Sequence, residues 1–385
     1  MTVTADRTDP VDGAGSTGRT DPMDRADSTD GTDPMDRAGW TADYLERLGV
    51  AAAPPSADHL ARLHAAHVAR IPFETLDRLP GIDPHEALDR IVREHRGGVC
   101  YHLNGAFTLL LRELGYHVTV HAAGVQSGFN PQPVGANGTH LVLTVGGLPA
   151  SGNPEGRWIL DVGSGEGFVR PLPLRPGTYE QGAFTYTVRA TRQGWRVDYD
   201  PRESCQGVDF APEPADESEF AAIYDRMADG EMSVFFRFGW VKRHRADGYD
   251  EIIGCRFSTV GPDGRTSRAI DTPEDYFTLL AEVFGMDLPT MPPDRRQAMW
   301  ERFRENWAEE DFRHAFGLGR GARDGNGAQD GRGVQDAHGA QDAHGAPDSH
   351  GAQDAHGAPD SHGTHGSHGS EGGGPEHRTD DGDVT

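Results

Sequence analysis

The segment RGGVCYHLNGAFTLLLRELG, residues 96–115, decides how the rest of the chain is read. Two glycines break whatever precedes them. From there Cys100, Leu103, Phe107, Leu110, Leu111 and Leu114 recur at three- and four-residue steps, the spacing of one helical face. Gly115 stands where a left-handed residue closes a helix. Cys100 is therefore expected in the first turn, where unpaired N–H groups and the positive end of the helix dipole favour a negative sulfur. The same amides are placed to receive an oxyanion if that sulfur attacks a carbonyl. Cysteine is also a common small residue of buried stripes, and the helix position alone leaves both readings open.

Upstream, the signals are helical. Thr41 is expected to cap a short helix through Tyr44, Leu45 and Leu48, and Ser56 another with Leu60, Leu63, His64, His67 and Val68 on one stripe. A third begins at Asp83 with Pro84 in its first position. Downstream, YHVTVHAAGV at 116–125, THLVLTV at 139–145, RWILDVG at 157–163, FTYTVRA at 184–190 and GWRVDYD at 194–200 read as strands separated by Gly and Pro turns. This is the pattern of a small antiparallel barrel or sandwich. Beyond residue 212 the texture mixes: a helix near 216–228, strands around 251–260, a helix over 272–285, and a last one from Asp294 holding Trp300, Phe303 and Trp307 together.

Composition sets the outer limits. The 385 residues carry 36 Lys plus Arg against 61 Asp plus Glu, a formal charge of −25, and only 35% are hydrophobic, low for one packed globule. The shortfall lies at the ends. Residues 1–39 read as a disordered acidic repeat tail (RTDPVD, RTDPMD) and 319–385 as a disordered Gly/Asp/His-rich tail in which GAQDAHGAPDSH recurs. Its evenly spaced histidines lack fixed acidic or thiolate partners, so solvated low complexity is the better reading than a metal site. The acidic balance of residues 40–318 argues against a nucleic-acid groove or an anionic membrane surface. No run of eighteen apolar residues and no secretory h-region occurs, so a soluble cytoplasmic protein is expected.

A thiolate doing acyl chemistry needs a base, and the base an orienting partner. His140 opens one apolar strand and Asp161 lies inside the next, where an acid is costly unless paired. If the linker turns near 150–152, an antiparallel pairing sets His140 opposite Asp161 or Gly163. Cys100, His140 and Asp161 then form a nucleophile, base and orienting acid. Cys205, after PRES, reads as an exposed loop thiol, and Cys255, in IIGCRF, as a strand residue. His95, His102, His117 and His121 match no zinc spacing and read as local polar groups. WVKRHR at 240–245 contains the only lysine of the chain and reads as a solvated basic turn or a phosphate contact.

The ordered set RIPFETLD (70–77), RGGVCYHLN (96–104), HLVLTV (140–145) and WILDVGSG (158–165) resembles the arylamine N-acetyltransferase family. The resemblance covers roughly 41–290. It implies an α+β fold: a helical domain with the nucleophile (40–120), an antiparallel β-barrel domain (121–212) and an α/β lid (213–318) on a cysteine-protease-like core. It makes Cys100 the acyl-accepting nucleophile, His140 its base and Asp161 the orienting acid. It also implies a ping-pong reaction in which acetyl-CoA, a substrate rather than a tightly bound cofactor, acylates Cys100 and an aromatic amine or hydrazine takes the acetyl group. No metal is implied. Phe73 and Tyr101 are expected to wall the acceptor pocket, and Ser164, standing where the family often has an aromatic, to open or polarise it. The same fold serves amide synthases that release or cyclise a carrier-bound polyketide onto an amine, for which an acyl carrier protein is the partner. Cysteine, histidine and aspartate in this order also serve papain-like and transglutaminase-like enzymes.

Because neither tail can contribute a core, a chain lacking 1–39 and 325–385 is expected to keep its melting temperature and its activity. Calorimetry and an activity assay on the shortened chain check this.

Overall fold

The computed structural model describes residues 39–308 apart from 129–131, 231–232, 287 and 289–290, so both repeat tails, save Gly39, lie outside the described residues. Four helices come first: α1 (Trp40–Leu48), α2 (Ala57–Arg70), α3 (Pro84–Val92) and α4 (Cys100–Glu113), with the two-residue strand β1 (Phe73–Glu74) between α2 and α3. Local signals set most of their ends. Ser56 accepts from the His59 N–H, and Asp83 from the His85 N–H with Pro84 in the first turn. Gly115 takes φ 86° after α4. Thr41 does not cap α1: the helix begins one residue before it, at Trp40, with Gly39 in the cap position.

Antiparallel strands follow: β2 (Val118–Ser127), β3 (His140–Val145), β4 (Trp158–Leu160), β5 (Leu172–Pro173), β6 (Gly177–Gln181), β7 (Phe184–Thr191), β8 (Gly194–Asp198) and β9 (Cys205–Phe210). They pair in the order β5-β4-β3-β2-β9-β8-β7-β6, a nearly closed barrel sheet. After α5 (Ser218–Asp229) and α6 (Ser233–Phe238) come β10 (Trp240–Arg245), β11 (Gly248–Ile253), β12 (Arg256–Gly261) and β13 (Gly264–Ala269), then α7 (Pro273–Glu282) and α8 (Pro293–Ala308). These four strands form a second antiparallel sheet whose far edge is β1, in the order β1-β10-β11-β12-β13. WVKRHR is thus a strand inside a sheet, not a solvated turn: Trp240, Val241, Lys242 and His244 are buried. Cys205 is the first residue of β9, not an exposed loop thiol, and Cys255 lies buried in the tight turn between β11 and β12.

The core explains the order of elements. One apolar cluster joins α1–α4 to β2–β4 through Leu60, Leu63, Phe107, Leu111, Leu143 and Leu160; a second fills the barrel around Val142, Phe168, Val197 and Phe210. A third packs α7 and α8 on the second sheet through Ile252, Tyr276, Leu280, Trp300 and Phe303. Among the described residues no helix is long and apolar enough to cross a membrane.

β1 sews the helical segment to the second sheet. Phe73 pairs with Lys242 and Glu74 with Val241, and the Glu74 N–H donates to the Gly98 carbonyl at 3.0 Å. The Glu74 carboxylate is buried and accepts from Arg90 at 2.7 Å, Arg96 at 2.9 Å and the Leu76 N–H. Burial would raise its pKa, but the two guanidiniums outweigh that and hold it at about 2. A depressed carboxylate contributes stability above its unfolded pKa of about 4.3, and that contribution is lost as pH falls toward its folded value. Glu74→Gln, which leaves two buried guanidiniums short of a charge, is expected to cost about 3 kcal/mol or more at pH 7. The gap from the parent should close as pH falls from 4.5 to 2, as read by denaturation at each pH.

Candidate active site

Cys100 is the first residue of α4, preceded by Val99 in extended backbone. Valine offers no side-chain acceptor, so His102 serves the helix end instead: its Nδ1 accepts the Val99 N–H at 3.2 Å and its Nε2–H donates to the Gly81 carbonyl at 2.8 Å. Burial holds this ring's pKa low, keeping it in the neutral form that both bonds need. The two glycines before Cys100 have no room for side chains. A Cβ on Gly97 would fall on the Pro72 carbonyl oxygen, and one on Gly98 would lie 2.9 Å from the His102 side chain. The sequence Arg-Gly-Gly thus fixes the approach of the chain to Cys100 by contact.

The barrel brings the other two residues. β3 and β4 pair with Leu143 opposite Leu160 and Val145 opposite Trp158, and the linker closes with Ala150 bonded to Asn153. That register carried outward sets His140 across from Gly163. The His140 Nε2 lies 2.7 Å from Asp161 Oδ2. The other ring nitrogen is left free of Asp161, and Cys100 is among the groups that act electrostatically on the ring. The Cys100 sulfur lies 4.0 Å from the carbonyl oxygen of Thr139. All three side chains are buried.

Every polar atom around Asp161 is answered. Its Oδ1 accepts from Asn104 Nδ2 at 3.0 Å and from the Gly163 N–H at 2.9 Å. Asn104, one turn after Cys100, also donates to the Leu141 carbonyl and accepts the Val162 N–H, so one amide ties α4 to β3 and to the acid's own loop. The Asp161 N–H donates to His64 Nε2 at 3.3 Å, and the His64 Nδ1–H donates to the Val169 carbonyl at 3.0 Å. Burial pushes His64 down to about 4, keeping the acceptor nitrogen bare. Gly163 lets the loop lie on the helix: a Cβ there would come within 2.7 Å of Cys100 Cα.

Burial alone would lower the His140 pKa, but the Asp161 charge and the sulfur of Cys100 outweigh it and raise it to about 10. Asp161, which burial would raise, is pulled below the usual carboxylate range by His140 and by the donors just named.

The remaining expected residues sit around this core. Phe73 on β1 is half-buried, bridging the helical core and the cluster of Phe238, Trp240 and Ile253. Tyr101 is buried, its O–H donating to the Gly138 carbonyl at 2.5 Å and its ring against Phe220 and Tyr224 of α5. Ser164 is half-buried in the turn after Asp161. Sequence reading named neither Asn104 nor His64 as a site residue. Asn104 carried a signal, being four residues from Cys100 on the same helix; His64 carried none beyond its place on a buried stripe.

A helix that begins at a cysteine, docked on an antiparallel barrel that supplies histidine and aspartate, defines a cysteine-protease-like fold. Residues 56–291 match the N-acetyltransferase family. The chain belongs to the arylamine N-acetyltransferase family. It is similar to the arylamine N-acetyltransferase / N-hydroxyarylamine O-acetyltransferase of Salmonella typhimurium, 32% identical over 265 residues, 64% of this chain and 87% of the relative. It is also similar to the arylamine N-acetyltransferase of Mycolicibacterium smegmatis, 36% identical over 159 residues, 39% of this chain. Proansamycin X synthase of Amycolatopsis mediterranei is 30% identical over 165 residues, 40% of this chain. The chain spans 56% and 60% of the length of these last two relatives. The solved Nocardia farcinica arylamine N-acetyltransferase aligns with TM-score 0.60 at 27% identity, over 69% of this chain and 95% of that one. The Mycobacterium marinum arylamine N-acetyltransferase in complex with CoA shares the fold at TM-score 0.61 and 24% identity, over 69% of this chain and 98% of that one.

Asn104→Ala should strand the Val162 N–H and remove one of the two donors on Asp161 Oδ1, costing about 1–3 kcal/mol. It should also slow alkylation of Cys100, because the acid loses its support. Denaturant melts and mass-resolved iodoacetamide labelling check both.

Proposed function

We propose that this protein transfers acetyl groups through a Cys100 thioester, from acetyl-CoA to the nitrogen of an aromatic amine or hydrazine, in two successive half-reactions. The observation that carries the reading is the buried His140–Asp161 pair, on whose ring Cys100 also acts, in a member of a family whose relatives bear the acetyltransferase name. Asp161 accepts the Nε2–H of His140 and so holds Nδ1 toward the sulfur, where it takes the thiol proton and later takes that of the attacking amine. First-turn amides of α4 receive the oxyanion as the sulfur attacks the thioester carbonyl. CoA leaves as its thiol; exchange of one thioester for another costs little. A weakly basic aryl amine arrives neutral and nucleophilic near pH 7 and takes the acetyl group. Phe73 and Ser164 border the acceptor side in this reading, and Tyr101 holds the 138–139 backbone under α5.

A second reading keeps the site and changes the donor: an amide synthase that draws an acyl chain from a carrier protein. The similarity to proansamycin X synthase favours it, as does Ser164 in place of a ring. The donor distinguishes the two.

Intact mass spectrometry after brief exposure to acetyl-CoA is expected to show one acetyl adduct, absent in Cys100→Ala and discharged by an aromatic amine. No adduct on a chain whose Cys100 still alkylates would reject acetyl-CoA in favour of a carrier thioester. His140→Ala should slow alkylation of Cys100 by about 100-fold; a wild-type rate would reject His140 as the base.

A further inference from the structure

The chain has one lysine, and it is buried on β10, beside the edge strand β1 of the second sheet. Lys242 is 2% exposed, with Nζ 2.8 Å from Glu166 Oε1, 2.7 Å from Ser204 Oγ and 3.6 Å from Glu251 Oε2. The Trp240 and Tyr249 rings lie within 5.6 Å of the ammonium. Burying a lysine and two carboxylates costs several kcal/mol per ion unless geometry restores it, and an apolar cluster of the same volume would serve stability as well. The question is what the charge holds.

Glu166 belongs to the loop that leaves Asp161, DVGSGEG, residues 161–167. Three glycines give that loop little stiffness of its own, and Gly165 and Gly167 take φ of 73° and 92°. Its near end rests on Cys100 and Asn104 at Gly163. Its middle crosses β1 and β10, because a Cβ on Gly165 would lie 2.7 Å from Lys242 Cβ and 2.8 Å from Phe73 Cβ. Ser164 sits between these two contacts. The far end is tied chiefly through acids: Glu166 accepts from Lys242, from Ser204 Oγ at 2.6 Å and from the Ser204 N–H at 2.8 Å, while the Gly167 N–H donates to Glu203 and the Gly167 carbonyl accepts the Tyr186 O–H at 2.9 Å.

We propose that the Lys242–Glu166 pair is a positioning device that fixes the Ser164 loop against Phe73 and so sets the space an aromatic acceptor enters beside Cys100. This deepens the transfer reading and rests on it for the nature of the acceptor. Neither residue touches the sulfur, His140 or Asp161 in the contacts described. Their loss should change which molecules reach Cys100 and leave the reactivity of the sulfur as it is.

The test uses the full-length chain and two reagents for Cys100, mapped by peptide mass spectrometry: iodoacetamide, small and non-aromatic, and N-phenylmaleimide, whose ring stands in for the acceptor. In Glu166→Gln and Lys242→Met the preference for N-phenylmaleimide should fall about tenfold while the iodoacetamide rate stays within about twofold, and Lys242→Arg should recover most of it. A wild-type preference in a folded Glu166→Gln chain would overturn the proposal. So would a fall in both rates together that follows the loss of melting temperature, since that is what a merely structural pair would do. If Lys242→Met does not fold, Glu166→Gln and Lys242→Arg decide alone. Neither reagent needs an acyl donor, so a chain that takes no acetyl group from acetyl-CoA overturns the transfer reading separately.

Discussion

An ionised carboxylate taken out of water is costly unless each oxygen finds a donor, and Asp161 organises much of the molecule around that demand. Its two oxygens are met by His140, Asn104 and the Gly163 amide. Each of these donors belongs to a different layer of the construction: a barrel strand, the helix that begins at Cys100 and the loop beyond the acid. Satisfying one charge therefore fixes the helix against the barrel and orients the His140 ring. Asn104 has both ends of its amide engaged, so rotating it would break bonds on both sides.

The second sheet grips the site from outside by the same physics. Glu74 on β1, together with Asp77, answers the charges of Arg90 and Arg96, and its N–H pins the Arg-Gly-Gly approach to Cys100. Lys242 on the neighbouring strand meets Glu166 on the loop that follows Asp161. Two adjacent strands thus hold the two loops that frame Cys100, one through an acid and one through a base. Because both ion pairs are buried, misplacing either loop leaves charge unanswered in a medium that screens it poorly.

Local rules made much of this readable. The stripe from Cys100 to Leu114, the Ser56 and Asp83 caps and the alternation in HLVLTV each carry their structure within a few residues. The register of β3 on β4 followed from the linker's turn, and with it the approach of His140 to Asp161. The misreadings share one cause. WVKRHR looks solvated because lysine and arginine usually are, yet the strand is buried where Glu166, Glu251 and Asp250 from other segments answer its charges. Phe73–Glu74 is too short to show a strand pattern and becomes one only by pairing with residues about 170 positions later.

The sequence alone determined which residues to single out: a cysteine at a helix start, a histidine at a strand end and an aspartate too deep in an apolar strand to stand unpaired. Those are statements about single elements and nearest neighbours in the chain, where backbone periodicity and the cost of burying charge suffice. Tertiary structure alone decided what holds them in place: His64 behind the acid, Glu74 beneath the nucleophile loop, Lys242 beneath the acid's loop. Each of these is a charge or a ring whose partner lies tens to more than a hundred residues away. No local pattern records such a partner, because the energy that places it exists only once both are removed from water together.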